Sequence, residues 1–83
     1  MKTIKYFSAT WCGPCKAFKP VMQEVANDGY SVEFIDVDQS QDTATKYGIR
    51  SVPTVVIEES GNELSRFVGA IPKNQVIAKL QWK

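Results

Sequence analysis

The chain has 83 residues, 43% hydrophobic and 23% charged, which fits one small soluble domain over residues 1–83 and leaves no length for a second. Ten Lys and Arg against nine Asp and Glu leave a formal net charge of +1, so no bulk field draws the chain to nucleic acid or an anionic membrane, and neither is expected as a partner. Histidine is absent, which removes Ser-His and Cys-His nucleophile pairs and any imidazole-bound zinc.

In chain order, Ile4, Tyr6 and Phe7 suit a short buried strand over Thr3 to about Ser8, followed by small polar turn residues. A helix is predicted to begin near Cys12 to Pro14. Phe18, Val21, Met22 and Val25 recur at i, i+3, i+4 and i+7, the stripe of an amphipathic helix, and Asn27-Asp28-Gly29 supplies its stop. Pro20 lies inside this helix, removing one backbone donor and predicting a bend there instead of an end. Ser31 to Asp38 carries β-branched and aromatic residues on both faces and predicts a second strand covered on two sides. Ser40 to Tyr47 predicts a short helix, with Ser40 as N-cap, an Asp42 to Lys46 pair at i, i+4, and Gly48 as a left-handed stop.

Val52 to Glu58, then Ser60-Gly61-Asn62, then Leu64 to Val68 predicts a strand, tight turn and strand. Pro72 suits a first helical turn, and Val76, Ile77 and Leu80 share one side of a closing helix, with Trp82 either its packing anchor or exposed at the surface. The order β-α-β-α-β-β-α predicts an α/β class: a four-stranded mixed sheet with a parallel first crossover, an antiparallel hairpin, and helices on both faces. No apolar run approaches the roughly 20 residues of a membrane span, and no cleavable leader is evident, so a cytoplasmic, reducing setting is expected.

Chemistry concentrates at Trp11-Cys12-Gly13-Pro14-Cys15. The two cysteines stand three apart at a predicted strand-to-helix junction, where unpaired amides of a first turn favour anions such as a thiolate. Cys12, nearest the helix start, is therefore the more acidic sulfur, and Cys15, one turn in, is the more shielded. The spacing lets a disulfide close without unwinding the helix. Gly13 permits close approach of another backbone, and Pro14 has no amide to leave unpaired. A purely structural disulfide and half of a zinc or iron-sulfur site are the competing readings. The second needs two further ligands, and no metal and no cofactor is expected.

At these residues the chain resembles the thioredoxin family, whose active-site signature is Trp-Cys-Gly-Pro-Cys in a strand-to-helix context. The resemblance extends over Lys46-Tyr47-Gly48-Ile49-Arg50-Ser51-Val52-Pro53-Thr54, similar to the segment that carries the family's cis-proline, to Pro20, and to Val68-Gly69-Ala70. It implies a thioredoxin fold shortened to about glutaredoxin size, lacking the first strand and helix of longer members. It further implies protein-disulfide reduction in which Cys12 attacks and Cys15 resolves. Trp11, Gly13, Pro14, the backbone of Val52, cis Pro53 and Gly69 would receive an extended substrate segment. The implied partners are disulfide-bearing proteins and a thioredoxin reductase or similar donor acting on a monomer. A glutathione-dependent, glutaredoxin-like reductase and an accessory subunit that needs no redox turnover are the alternatives.

Two positions depart from the family. Tyr6 stands where its buried aspartate is usual, six residues before the first cysteine, and Phe34 stands where the partner lysine is frequent. Losing both charges together favours a structural reading, because packed aromatics avoid the desolvation cost of a buried ion pair. Proton transfer at Cys15 must then use water or another group.

Overall fold

The computed structural model describes residues 2–81, so Trp82, expected as an anchor or at the surface, lies outside the described residues. Within them the elements are β1 (Lys2–Ser8), α1 (Gly13–Asn27), β2 (Ser31–Asp36), α2 (Gln41–Tyr47), β3 (Thr54–Glu59), β4 (Asn62–Val68) and α3 (Lys73–Leu80). The strands form one sheet in the order β2-β1-β3-β4. β1 pairs parallel with β2 and antiparallel with β3, and β3 pairs antiparallel with β4. This is the predicted α/β architecture.

Strand alternation divides the core in two. Ile4 and Tyr6 of β1 and Val55 and Ile57 of β3 project to one face, where Phe18, Met22 and Val25 of α1 and Val76 and Leu80 of α3 close over them. Phe7 and Val56 project to the other face with Ile35, against Tyr47 and Ile49 at the end of α2. The stripe expected on α1 is thus its buried side, and the helix continues through Pro20. Lys73 pairs with Glu24 at 3.6 Å and Asp28 at 2.9 Å, tying the start of α3 to the end of α1.

Five local expectations need correction. β2 stops at Asp36 because the Asp36 carboxylate accepts from the amides of Asp38 and Gln39 and turns the chain. β2 is also an edge strand, so Val32 and Phe34 are only partly covered, Phe34 remaining 41% exposed, while Ile35 on the other face is buried. β3 begins at Thr54, after the cis Val52-Pro53 bond, and not at Val52. At α2, Ser40 occupies the N-cap without a side-chain cap bond. Asp42 and Lys46, both exposed, form no ion pair among the described residues and act only as charges at favourable ends of the helix.

The remaining turns follow the sequence closely. Gly48 ends α2 in the left-handed region, and Pro72 is the N-cap of α3, one residue outside it. Ser60 and Gly61 both have positive φ, 54° and 84°, which makes the two-residue turn whose twist matches a hairpin. β4 accordingly begins at Asn62, two residues before the expected Leu64.

Tyr47 packs its ring on Phe7 at 5.4 Å and donates its hydroxyl to Glu58 Oε2 at 2.7 Å. That hydrogen bond, with burial and the Glu58 charge, pushes the Tyr47 phenol up to about 12. A folded-state value above the unfolded one of about 10 means stability that is complete below pH ~10 and lost as pH rises toward 12. Denaturant unfolding of the oxidised protein at pH 9 to 12 should show a steeper alkaline loss for the wild type than for Tyr47→Phe. Parallel curves would refute this linkage.

Candidate active site

The end of β1 delivers Ala9 and Cys12 to the start of α1, where Ala9, Cys12 and Cys15 form a small buried cluster against Val37 and Val52. Cys12 is the N-cap of α1, with extended φ and ψ, and its Sγ accepts from the Cys15 amide at 3.2 Å. A sulfur replaces the oxygen that usually satisfies a first-turn amide, and in the reduced protein the same donor favours negative charge on Cys12. The two cysteines are joined as a disulfide with their Cα atoms 5.3 Å apart, the close approach that the three-residue spacing predicts.

Both cysteines are nearly covered, Cys12 at 5% and Cys15 at 2% exposure. Gly13 and Pro14 between them are exposed. Trp11 is 68% exposed, yet its position is held: its indole Nε1 donates to Asp38 Oδ2 at 2.8 Å. The indole therefore presents an apolar face beside the disulfide without swinging freely. Asp38 is a site residue that the sequence did not reveal, since an acid 27 positions away has no local signature linking it to Trp11.

Opposite the disulfide stands the loop that carries Val52 and Pro53. The peptide bond between them is cis, and the Val52 carbonyl oxygen lies 3.7 Å from Cys12 Sγ. Thr54 donates its hydroxyl to Ser51 O at 2.6 Å, and the Gly69 amide donates to Pro53 O at 2.9 Å. Gly69 has φ +97° and nothing within 4 Å of where a Cβ would sit, so its backbone conformation, not crowding, calls for glycine. Trp11, Val37, Ile49, Ser51 and Val52 line a cleft of about 100 Å³ beside this loop. The structure thus gathers Trp11, Cys12, Cys15, Val52, Pro53 and Gly69 at one end of the sheet, although they come from widely separated positions.

Beneath the disulfide, Tyr6 is fully buried and donates its hydroxyl to the Cys15 carbonyl at 3.0 Å. Its ring meets Phe18 and Phe34 edge-on, with centroids 5.7 and 5.6 Å apart. Tyr6 and Phe34, which depart together from the family pattern, are therefore in contact with one another. Burial raises the Tyr6 phenol above its ordinary range, partly offset by a hydrogen bond with Ser8. Among the described residues no group of three or more His, Cys, Asp or Glu is placed to hold a metal ion.

The thioredoxin family model matches residues 2–82. The chain belongs to the thioredoxin family. It is 42% identical over 77 residues to a thioredoxin of Mycoplasmoides gallisepticum, covering 90% of this chain and 77% of that one. To a thioredoxin of Pseudomonas aeruginosa it is 44% identical over 75 residues, covering 87% and 69%. A mutant thioredoxin from Halobacterium salinarum superposes with a TM-score of 0.91 at 33% identity, over 96% of this chain and 72% of that one. Fasciola hepatica thioredoxin gives 0.89 at 31% identity, over 99% and 81%. Family membership together with the paired cysteines makes the protein a thiol-disulfide oxidoreductase that works by dithiol-disulfide exchange.

Tyr6→Phe keeps the ring contacts and removes only the hydroxyl. It should lower the unfolding free energy of the oxidised protein by about 1 kcal/mol, because one buried hydrogen bond to the Cys15 carbonyl is lost. Denaturant melts measure this, and an unchanged midpoint would mean that the carbonyl finds another donor.

Proposed function

We propose that this protein reduces disulfides in other proteins, with Cys12 as the attacking sulfur and Cys15 as the resolving one. The observation that carries this assignment is the Cys15 amide directed at Cys12 Sγ. A donor at the helix start lowers the cost of a thiolate on Cys12 and provides nothing comparable for Cys15. Attack on a substrate disulfide joins Cys12 to one substrate sulfur and releases the other as a thiolate. Attack by Cys15 on Cys12 then closes the internal disulfide and releases the second substrate sulfur. Two electrons pass to the substrate, and the protein is left oxidised.

The surroundings favour a protein substrate over a small one. Trp11, Pro14, Val52 and Gly69 surround the disulfide as a shallow rim, and Trp11, Gly13 and Pro14 are exposed. Such a rim suits an extended segment, whose main chain can hydrogen-bond to the Val52 backbone while its side chains rest on the apolar faces. Gly13 and Gly69 leave space for that segment, since neither would place a Cβ within 4 Å of a neighbour. Regeneration falls to a thioredoxin reductase drawing on NADPH, and a reducing cytoplasm is the setting in which the dithiol persists. No helix among the described residues is long and apolar enough to cross a membrane. The protein acts as a monomer over one domain spanning residues 1–83.

Two measurements test this reading. Turnover of a protein disulfide should be supported by thioredoxin reductase with NADPH and be much slower with glutathione and its reductase. The reverse preference would establish the glutaredoxin-like alternative. Cys15→Ser, exposed to oxidised client proteins, should accumulate mixed disulfides through Cys12, and Cys12→Ser should accumulate none. Equal trapping by both variants would contradict the division of roles.

A further inference from the structure

Resolution requires Cys15 to lose a proton, yet the side chain is almost wholly covered. The neighbouring phenol of Tyr6 cannot take that proton. Its own hydrogen is committed to the Cys15 carbonyl, and a neutral phenol is a very weak base.

A cavity of about 330 Å³ reaches Cys15, and its lining includes none of Trp11, Pro14, Val52 or Gly69. Ala9, Cys15, Phe34, Lys16, Lys19 and Asp36 are among the residues that line it. This volume has room for several waters, and the polar residues Ser8 and Thr10 are among those that line it. Asp36 is the one carboxylate lining the cavity among the described residues. Its Oδ1 accepts from the amides of Asp38 and Gln39, at 2.8 and 3.3 Å, which fixes the carboxylate at the end of β2.

We propose that this cavity is the proton exit of the resolving step, with water carrying the Cys15 proton to Asp36 as Cys15 attacks. The inference rests on the assignment of Cys15 as the resolving sulfur. As the proton leaves, the Cys15 electron pair forms the bond to Cys12. The bond from Cys12 to the substrate sulfur breaks, and its pair departs with that sulfur as a thiolate. Asp36 then returns its proton to solvent. Asp36 is a positioning residue acting through water. The charged groups around the route are consistent with this role. Lys16 and Lys19 on α1 line the same cavity and are the cations that face Asp36 there. Tyr6 from β1 stays neutral, and Asp38 on the following turn is occupied by Trp11. Lys5 and Glu33 pair with each other on the opposite sheet face, since they alternate with Tyr6 and Phe34.

A symmetrical aromatic disulfide such as dithiobis-nitrobenzoate separates the two steps, because one coloured thiolate leaves on attack by Cys12 and a second on resolution by Cys15. In stopped-flow single turnovers at pH 6 to 7, Asp36→Asn should leave the first phase unchanged and slow the second by roughly tenfold to a hundredfold. Asn retains the oxygen that accepts from the turn amides, and Asp36→Glu should restore the second phase. The deficit should shrink as pH rises, because loss of the thiol proton then depends less on a protein base. A second phase equally fast in Asp36→Asn, or slowed by the same factor at every pH, would overturn the proton route while leaving the Cys15 assignment intact. Release of both thiolates by Cys15→Ser would instead remove the assignment on which the route depends.

Discussion

The placement of one sulfur at the first turn of α1 governs the chemistry of this molecule. Cys12 does the work of a capping side chain, accepting from the Cys15 amide, and the same hydrogen bond differentiates two otherwise identical thiols. For the cap to form, the helix must start where β1 ends, and the strand must lie in the middle of the sheet. β1 does so, flanked by β2 and β3. Burial of Phe18, Met22 and Val25 against Ile4 and Tyr6 then sets where the helix begins, because sliding α1 along the sheet would expose that stripe.

Tyr6 joins the core to the chemistry. Its ring belongs to the cluster between sheet and α1, and its hydroxyl reaches the Cys15 carbonyl. A buried ion pair costs desolvation on both partners, whereas two aromatic rings meeting edge-on gain packing and leave a single hydroxyl to satisfy. The consequence is chemical as well as structural, since no ionised side chain from β1 lies beneath Cys15. The cavity and Asp36 matter for that reason.

Some features were plain in the linear chain because they depend on neighbours. The apolar spacing from Phe18 to Val25 selects a helix and its buried side, Gly48 ends α2, and Ser60-Gly61 selects the hairpin turn. Boundaries set by contacts at a distance were less legible. The end of β2 depends on the Asp36 side chain accepting from the amides that follow, and the exposure of Phe34 depends on β2 having no outer neighbour among the described strands. Asp42 and Lys46 had suitable spacing for a pair, but two exposed side chains gain too little from contact to hold one.

The sequence by itself determined that the chemistry is sulfur chemistry at a helix start, because the absence of histidine and the three-residue spacing of Cys12 and Cys15 are local facts. Family likeness further implied the cis bond before Pro53. Only the tertiary structure decided what surrounds the sulfurs: Val52 O facing Cys12, Asp38 holding Trp11, the Gly69 amide on Pro53 and the cavity reaching Cys15. Those contacts join residues far apart along the chain, and their energies exist only after the sheet has brought the loops to one end.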